Sequence, residues 1–262
     1  MNYNYYNYSN QFHLVATSPY PLLISNSICL LMIGLIISFN SYITTHTMIL
    51  TMIITMINII LWITDIIIES TYFGMHTNIV EYGISIGFLL FIASEALLFL
   101  TVFWALFHSS LAPTVSIGSI WPPLGINTIN AISIPLLNTI ILLSSSISIT
   151  SAHYALISRI RIYNINYLIV TQYKAIYFIT LQYLEYKSST FTITDSIYGT
   201  VFYTLTGLHG IHIIAGFLLI IVVSYRIVLY HTTDYHHLGL IVSITYWHFV
   251  DILWLLVYCT IY

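Results

Sequence analysis

One carboxylate in the middle of a long apolar run constrains this chain more than any other feature. Residues 83–110 read GISIGFLLFIASEALLFLTVFWALFHSS, and Glu95 is the only acid among them. At 1.5 Å rise per residue such a helix is about 42 Å long, more than the ~30 Å hydrocarbon core of a bilayer. The run therefore reads as a membrane-spanning helix that is tilted or projects past one interface. An ionised Glu95 inside it would cost roughly 3 kcal/mol on insertion scales. The carboxyl is therefore expected to be largely protonated. Two readings follow. An intramembrane acid is by default functional; the plainer alternative is an acid that only hydrogen-bonds a neighbouring helix.

The rest of the chain agrees with a membrane setting. It has 262 residues, 59% hydrophobic and only 5% charged, with mean hydropathy +0.93. A soluble domain carries roughly 25% charged residues, so this is a multi-span membrane protein. A formal net charge of -3 without a basic patch gives no reason to expect nucleic acid as a partner. Cys29 and Cys259 lie in apolar runs and read as packing residues, not as a disulfide or a metal pair. The start, MNYNYYNYSNQFH, has neither the pattern of a secretory signal nor the arginines of a transit peptide.

Hydropathy divides the chain into seven helices, at about 22–40, 48–68, 83–110, 134–158, 163–186, 197–230 and 238–262. They make one all-α integral membrane domain over 1–262. The loop 69–82 carries Glu69, His76 and Glu81. The connection 111–133 holds Pro113, Trp121-Pro122-Pro123 and Gly125, so it cannot be helical throughout. An odd number of spans puts the termini on opposite sides. With the N-terminus inside, Arg159, Arg161 and Arg226 fall on the inner face and Lys187 outside, as the positive-inside rule prefers. Lys174 lies about 16 Å into its helix; either it snorkels to the interface or the span starts later.

Eleven histidines invite a haem or metal reading. His209 and His212 are three apart and share a helix face; His108, His153 and His248 lie in or beside spans. There is no C-x-x-C-H and no H-E-x-x-H, so hydrogen-bonding histidines are the better reading. Gly83, Gly87, Gly207 and Gly210 are small residues at helical spacing that would let helices or lipid chains approach closely. Arg226 lies near the end of the sixth span with His231 just beyond it. It either neutralises the helix dipole or binds a phospholipid head group.

Several segments together carry a resemblance: FHLVATSPYPL from Phe12, SEALLF from Ser94, FWALFHSSLAP from Phe103, WPPLGI from Trp121, PLLNTIILLSS from Pro135, FTITDSIYGTVFY from Phe191, TGLHGIHIIAG from Thr206, and HHLGL with YWHFVDILWLLVY from His236. In combination they resemble subunit III of the mitochondrial haem-copper oxidases, and QYLEY at Gln182 is nearest to the fungal members. The resemblance implies seven transmembrane helices in a pair and a five-helix bundle, separated by a V-shaped, lipid-filled cleft. It implies a non-catalytic core subunit of cytochrome c oxidase, respiratory complex IV, in the mitochondrial inner membrane. The N-terminus would face the matrix and the C-terminus the intermembrane space. It also implies no cofactor in this chain, since haem a and copper belong to partner subunits. The partners would be subunits I and II, small accessory subunits, other respiratory complexes in a supercomplex, and phospholipids including cardiolipin or another anionic lipid. Residue by residue, Glu95 matches the family's intramembrane glutamate. The lipid-binding positions that the resemblance implies are His76, Glu95, Trp104, Arg226 and His231; no residue matches a catalytic or metal position.

The sequence departs from the family in having Val80-Glu81 where a basic residue is usual, in Lys174 replacing an apolar residue, and in stopping at Tyr262 before the usual tryptophan-rich tail. Two other functions remain open at this point: subunit III of a quinol oxidase, and an independent proton-coupled transporter using Glu95. The transporter would show inverted repeats or broken helices in matching halves, and neither is visible.

Overall fold

A computed structural model describes residues 12–13, 17–40 and 45–262. Most of the polar start of the chain, where the reading of signal peptides falls, lies outside them. Seven α-helices follow in order: α1 Tyr20–Asn40, α2 Thr45–Thr71, α3 Asn78–Leu111, α4 Ile134–Ile157, α5 Arg161–Ser188, α6 Ile197–Val228 and α7 Leu238–Ile261. Among the described residues there is no strand. The ends differ from the hydropathy limits where local chemistry sets them. α3 begins at Asn78, which places Glu81 in its first turn against the positive end of the helix dipole. α1 carries Pro21 in its first turn, where the missing N–H costs nothing. The connection after α3 is irregular apart from one 3-10 turn at Val115–Ile117, and its Trp121 packs edge-on against Tyr198 at 5.6 Å.

The Cα packing forms two units, Met1–Ile84 and Ser85–Tyr262. In the first, α1 and α2 lie antiparallel. Thr55 Oγ1 donates to the carbonyl of Ser27 at 3.3 Å, and Gly34 faces Met48 and Thr51 nearer the connection between the two helices. In the second, α4 packs on α5, α5 on α6, α6 on α7 and α7 on α4, closing a ring of four helices. Its centre holds Leu168, Phe178, Leu205, Ile213, Ile220, Trp247, Val250 and Trp254, all buried. α3 adds Phe99, Phe103 and Leu106 to the same core.

Six of the seven helices are long and apolar enough to cross a membrane by length and composition; α5 is the exception. Several of its polar residues turn inward and bond the ring, while Asn166 and Thr180 stay exposed. Asn164 Nδ2 donates to the carbonyl of Ala152 at 2.7 Å, Thr171 pairs with Ser148 at 2.8 Å, and Gln172 Nε2 donates to Ser224 Oγ at 2.8 Å. A polar group satisfied in this way escapes most of the penalty of leaving water. Lys174 follows the same rule. Its Nζ donates to the carbonyl of Ser144, midway along α4, at 2.7 Å, so it reaches across to a helix instead of snorkelling to an interface.

Two expectations about small and sulfur-bearing residues are corrected. Cys29 and Cys259 are free, but both are exposed rather than packed in a core. No side chain or neighbouring backbone lies within 4 Å of a Cβ built on Gly83, Gly87, Gly207 or Gly210. The close approaches occur at Gly216, where a Cβ would meet Trp247 at 3.0 Å, and at Gly199, where it would collide with the Thr192 carbonyl. Spacing places glycines on a face, but the rotation of the helix decides which face meets a neighbour.

Candidate functional site

Phe91, Glu95 and Phe99 recur every four residues and share one face of α3. On α6, His212 meets that face: its Nε2 lies 2.9 Å from Glu95 Oε2. The other ring nitrogen, Nδ1, lies 2.7 Å from the carbonyl oxygen of Leu208 one turn earlier. A carbonyl can only accept, so Nδ1 must carry a proton. The Nε2–Oε2 bond then holds one proton in either of two arrangements. A neutral carboxylic acid donates to a neutral imidazole, or a carboxylate accepts from an imidazolium. Both arrangements carry no net charge, but only the neutral one avoids the desolvation cost of two ions in a low-dielectric setting. Aromatic rings wall the pair. Phe99 meets the imidazole edge-on at 5.1 Å, Tyr246 of α7 stacks on it at 6.3 Å, and Phe91 stacks on Tyr246 at 6.5 Å. The side chains keep 10% and 21% of their surface for His212 and Glu95.

His212 is the partner that sequence reasoning missed, because the two residues are 117 positions apart. His209, grouped with it by spacing, turns elsewhere. It is fully buried, its Nε2 lies 3.3 Å from the Val250 carbonyl, and its ring packs on Phe178 and Trp254. Sixty degrees of helix rotation thus sends the two histidines to different neighbours. Among the described residues no three His, Cys, Asp or Glu side chains are grouped as metal ligands.

Two further acids are buried in the same bundle. Asp251 of α7 accepts from Ser146 of α4, whose hydroxyl also lies 3.1 Å from His248 Nδ1; His248 Nε2 is 3.3 Å from Thr150. Glu185 of α5 accepts from the phenol of Tyr262. Asp251 sits in the apolar run YWHFVDILW, so the rule that singles out Glu95 would have found it too.

The remaining candidate residues fall in three places. Trp104, nine residues after Glu95 and about 180° around the helix, is 74% exposed. Arg226 is in the last turn of α6, and the chain folds back so that the N–H of His231 bonds the Arg226 carbonyl at 2.9 Å. The Arg226 guanidinium abuts the start of α7, with Nη1 3.2 Å from a Cβ built on Gly239; its Nε is buried without a hydrogen-bond partner among the described residues. His76 belongs to the first unit, where its ring meets that of His13 edge-on at 5.7 Å, and His13 in turn lies 3.5 Å from Glu69. The structure therefore joins Arg226 to His231 through the backbone, joins Glu95 to His212, and leaves Trp104 apart.

Comparison with known proteins places these features in a family. A family model described as "Cytochrome c oxidase subunit III" matches residues 10–262. The chain is 44% identical over 252 residues to cytochrome c oxidase subunit 3 of Yarrowia lipolytica, covering 96% of this chain and 94% of that protein. It is 46% identical over 252 residues to the subunit 3 of Allomyces macrogynus, covering 96% and 92%. With that of Emericella nidulans it shares 45% over 258 residues, covering 98% and 96%.

Proposed function

Because the chain belongs to the cytochrome c oxidase subunit III family, we propose that it serves the oxidase as a non-catalytic core subunit that scaffolds subunit I and holds structural phospholipids. It is a multi-pass protein of the mitochondrial membrane and a subunit of the oxidase complex, working beside other oxidase subunits. In this reading the chain has no redox centre of its own, and haem a and copper sit in subunits I and II. One observation carries the reading: the titratable groups inside the bundle are used to tie helices together. Glu95 bonds His212, Asp251 bonds Ser146, Glu185 bonds Tyr262 and Lys174 bonds the backbone of α4. Groups committed to such bonds suit a scaffold better than a set of ligands waiting for a metal.

The lipid part of the proposal rests on Arg226 and His231 at one end of α6, with exposed Trp104 as a separate contact for an acyl chain. A guanidinium with a free donor at a helix end can take a phosphate through charge-assisted hydrogen bonds. Arg159, Arg161 and Arg226 gather where α4 and α6 end and α5 and α7 begin, while Lys187 is at the far end of α5. This distribution supports a matrix-facing N-terminus. The test is the purified oxidase carrying Arg226→Ala. Its complement of tightly bound anionic phospholipid should fall, by lipid mass spectrometry, and activity should start near wild type and then decline during sustained turnover. An unchanged lipid complement would leave Arg226 as a charge that only offsets the helix dipole.

A further inference from the structure

α4 and α6 end in the same way, at the same end of the four-helix ring. The N–H of Ile160 bonds the Ala155 carbonyl and that of Arg159 bonds Leu156, each at 2.9 Å. On α6 the N–H of His231 bonds the Arg226 carbonyl at 2.9 Å and that of Tyr230 bonds Ile227 at 3.2 Å. Both are Schellman closures, whose left-handed residue is usually glycine. Here that residue is Arg159, with φ 61°, and Tyr230, with φ 60°. Both side chains line one cavity of about 360 Å³, whose apolar part is Leu156 and Ile227 and whose polar part is Arg161, Thr232, Thr233 and Asp234.

The charges in this cavity are unevenly matched. Arg159 is taken: its Nε and Nη2 both donate to Asp234 Oδ2, at 3.0 and 2.7 Å. Arg161 lies with its guanidinium 3.3 Å from the centre of the Tyr230 ring, and its Nη2 is buried with no hydrogen-bond partner among the described residues. The hydroxyl of Thr232 is likewise buried and unpartnered. Thr233 Oγ1 accepts from the N–H of His236 at 3.0 Å, so its own proton remains to be donated. Arg161 is also the first residue of α5, where the helix dipole adds to its positive charge instead of offsetting it. Two guanidiniums against one carboxylate leave the cavity one positive charge in excess. Its idle buried groups are donors, a guanidinium stacked on an aromatic ring and the Thr232 hydroxyl, and the exposed Thr233 hydroxyl can donate beside them.

We propose that this cavity binds a phosphate group, presented either by the head group of an anionic phospholipid or by a free phosphate in solution. Arg161 and Thr232 donate to its oxygens, Thr233 closes the third side, and Tyr230 fixes the plane of the guanidinium. The tetrahedral anion satisfies donors that the protein leaves idle and neutralises the excess charge. Arg226 does not line the cavity, but His231 lies between its lining residues Tyr230 and Thr232, so the two contacts are neighbours on one loop and are told apart by their variants.

The assembled oxidase, stripped of loosely held lipid in detergent, tests this with two probes. Retention of phosphatidylglycerol is counted by native mass spectrometry, and binding of radiolabelled inorganic phosphate is measured by equilibrium dialysis. If the source is a lipid, Arg161→Gln loses one phosphatidylglycerol that wild type and Arg226→Ala keep. If the source is free phosphate, Arg161→Gln binds inorganic phosphate at least tenfold more weakly than wild type. Arg161→Lys should fall between the two, because it keeps the charge and loses the fork. Thr232→Val, which changes little in shape, should weaken the same probe severalfold; it decides the matter if Arg161→Gln does not assemble. The proposal is overturned if neither probe separates wild type from the Arg161 and Thr232 variants. Loss in Arg226→Ala alone would overturn it too, and would leave the Arg226 site standing.

Discussion

Replacing Glu95 and His212 singly and together should show that they act as one unit. Glu95→Leu leaves His212 Nε2 facing apolar groups without a donor, and His212→Leu leaves the Glu95 carboxyl alone. Each single change strands a largely buried polar group, which costs about 1–3 kcal/mol. The double change replaces both partners by apolar side chains, which is close to neutral. The double variant should therefore be more stable than the sum of the singles by roughly 2 kcal/mol or more, a coupling expected only between residues in contact. Glu95→Gln is the informative conservative change. With the imidazole proton held on Nδ1 by the Leu208 carbonyl, the new amide N–H₂ can donate to Nε2 and restore the bond. It should cost no more than about 1 kcal/mol and leave assembly and initial oxygen consumption intact. The assay is retention of this subunit in the purified complex across a detergent or thermal ramp. Labelling by an apolar carbodiimide, which needs the protonated acid, follows alongside. If the two leucine changes are simply additive, or if Glu95→Gln is as harmful as Glu95→Leu, the shared-proton argument fails.

Two other expectations follow from geometry. Gly199→Ala should destabilise by about 1–3 kcal/mol or more, since the added methyl meets backbone rather than a side chain that can move. Gly207→Ala, with open space around it, should be neutral or stabilising by up to ~1 kcal/mol through helix propensity; thermal ramps of the two variants should therefore shift in opposite directions or by very different amounts. The hydrogen bonds from Arg159 hold the Asp234 carboxyl below its ordinary value of 3.8. With the folded value depressed, the stabilisation is fully present above pH 3.8 and is lost as pH falls through the lower, folded value. Acid titration should release the Arg159–Asp234 bond in wild type, and Asp234→Asn should show no such step.

Much of this molecule is legible from the chain alone. The approximate positions of six helices follow from apolar runs whose length must match a bilayer, and α5 is the exception. The irregular stretch around Trp121-Pro122-Pro123 follows from proline chemistry, and Glu95 was visible because an acid in hydrocarbon is costly wherever the helix points. What the chain alone could not supply is the set of partners. His209 and His212 looked equivalent by spacing, yet one faces Val250 and Trp254 and the other faces Glu95. Lys174 looked stranded until α4 supplied the Ser144 carbonyl. The glycines that looked like contact points face open space, while Gly199 and Gly216 carry the close approaches. Hydropathy is a property of one segment and is written locally, so it survives without the neighbours. A hydrogen bond or a close contact between helices depends on the rotation and depth of both, and the packing of the ring fixes these only once all its members are in place.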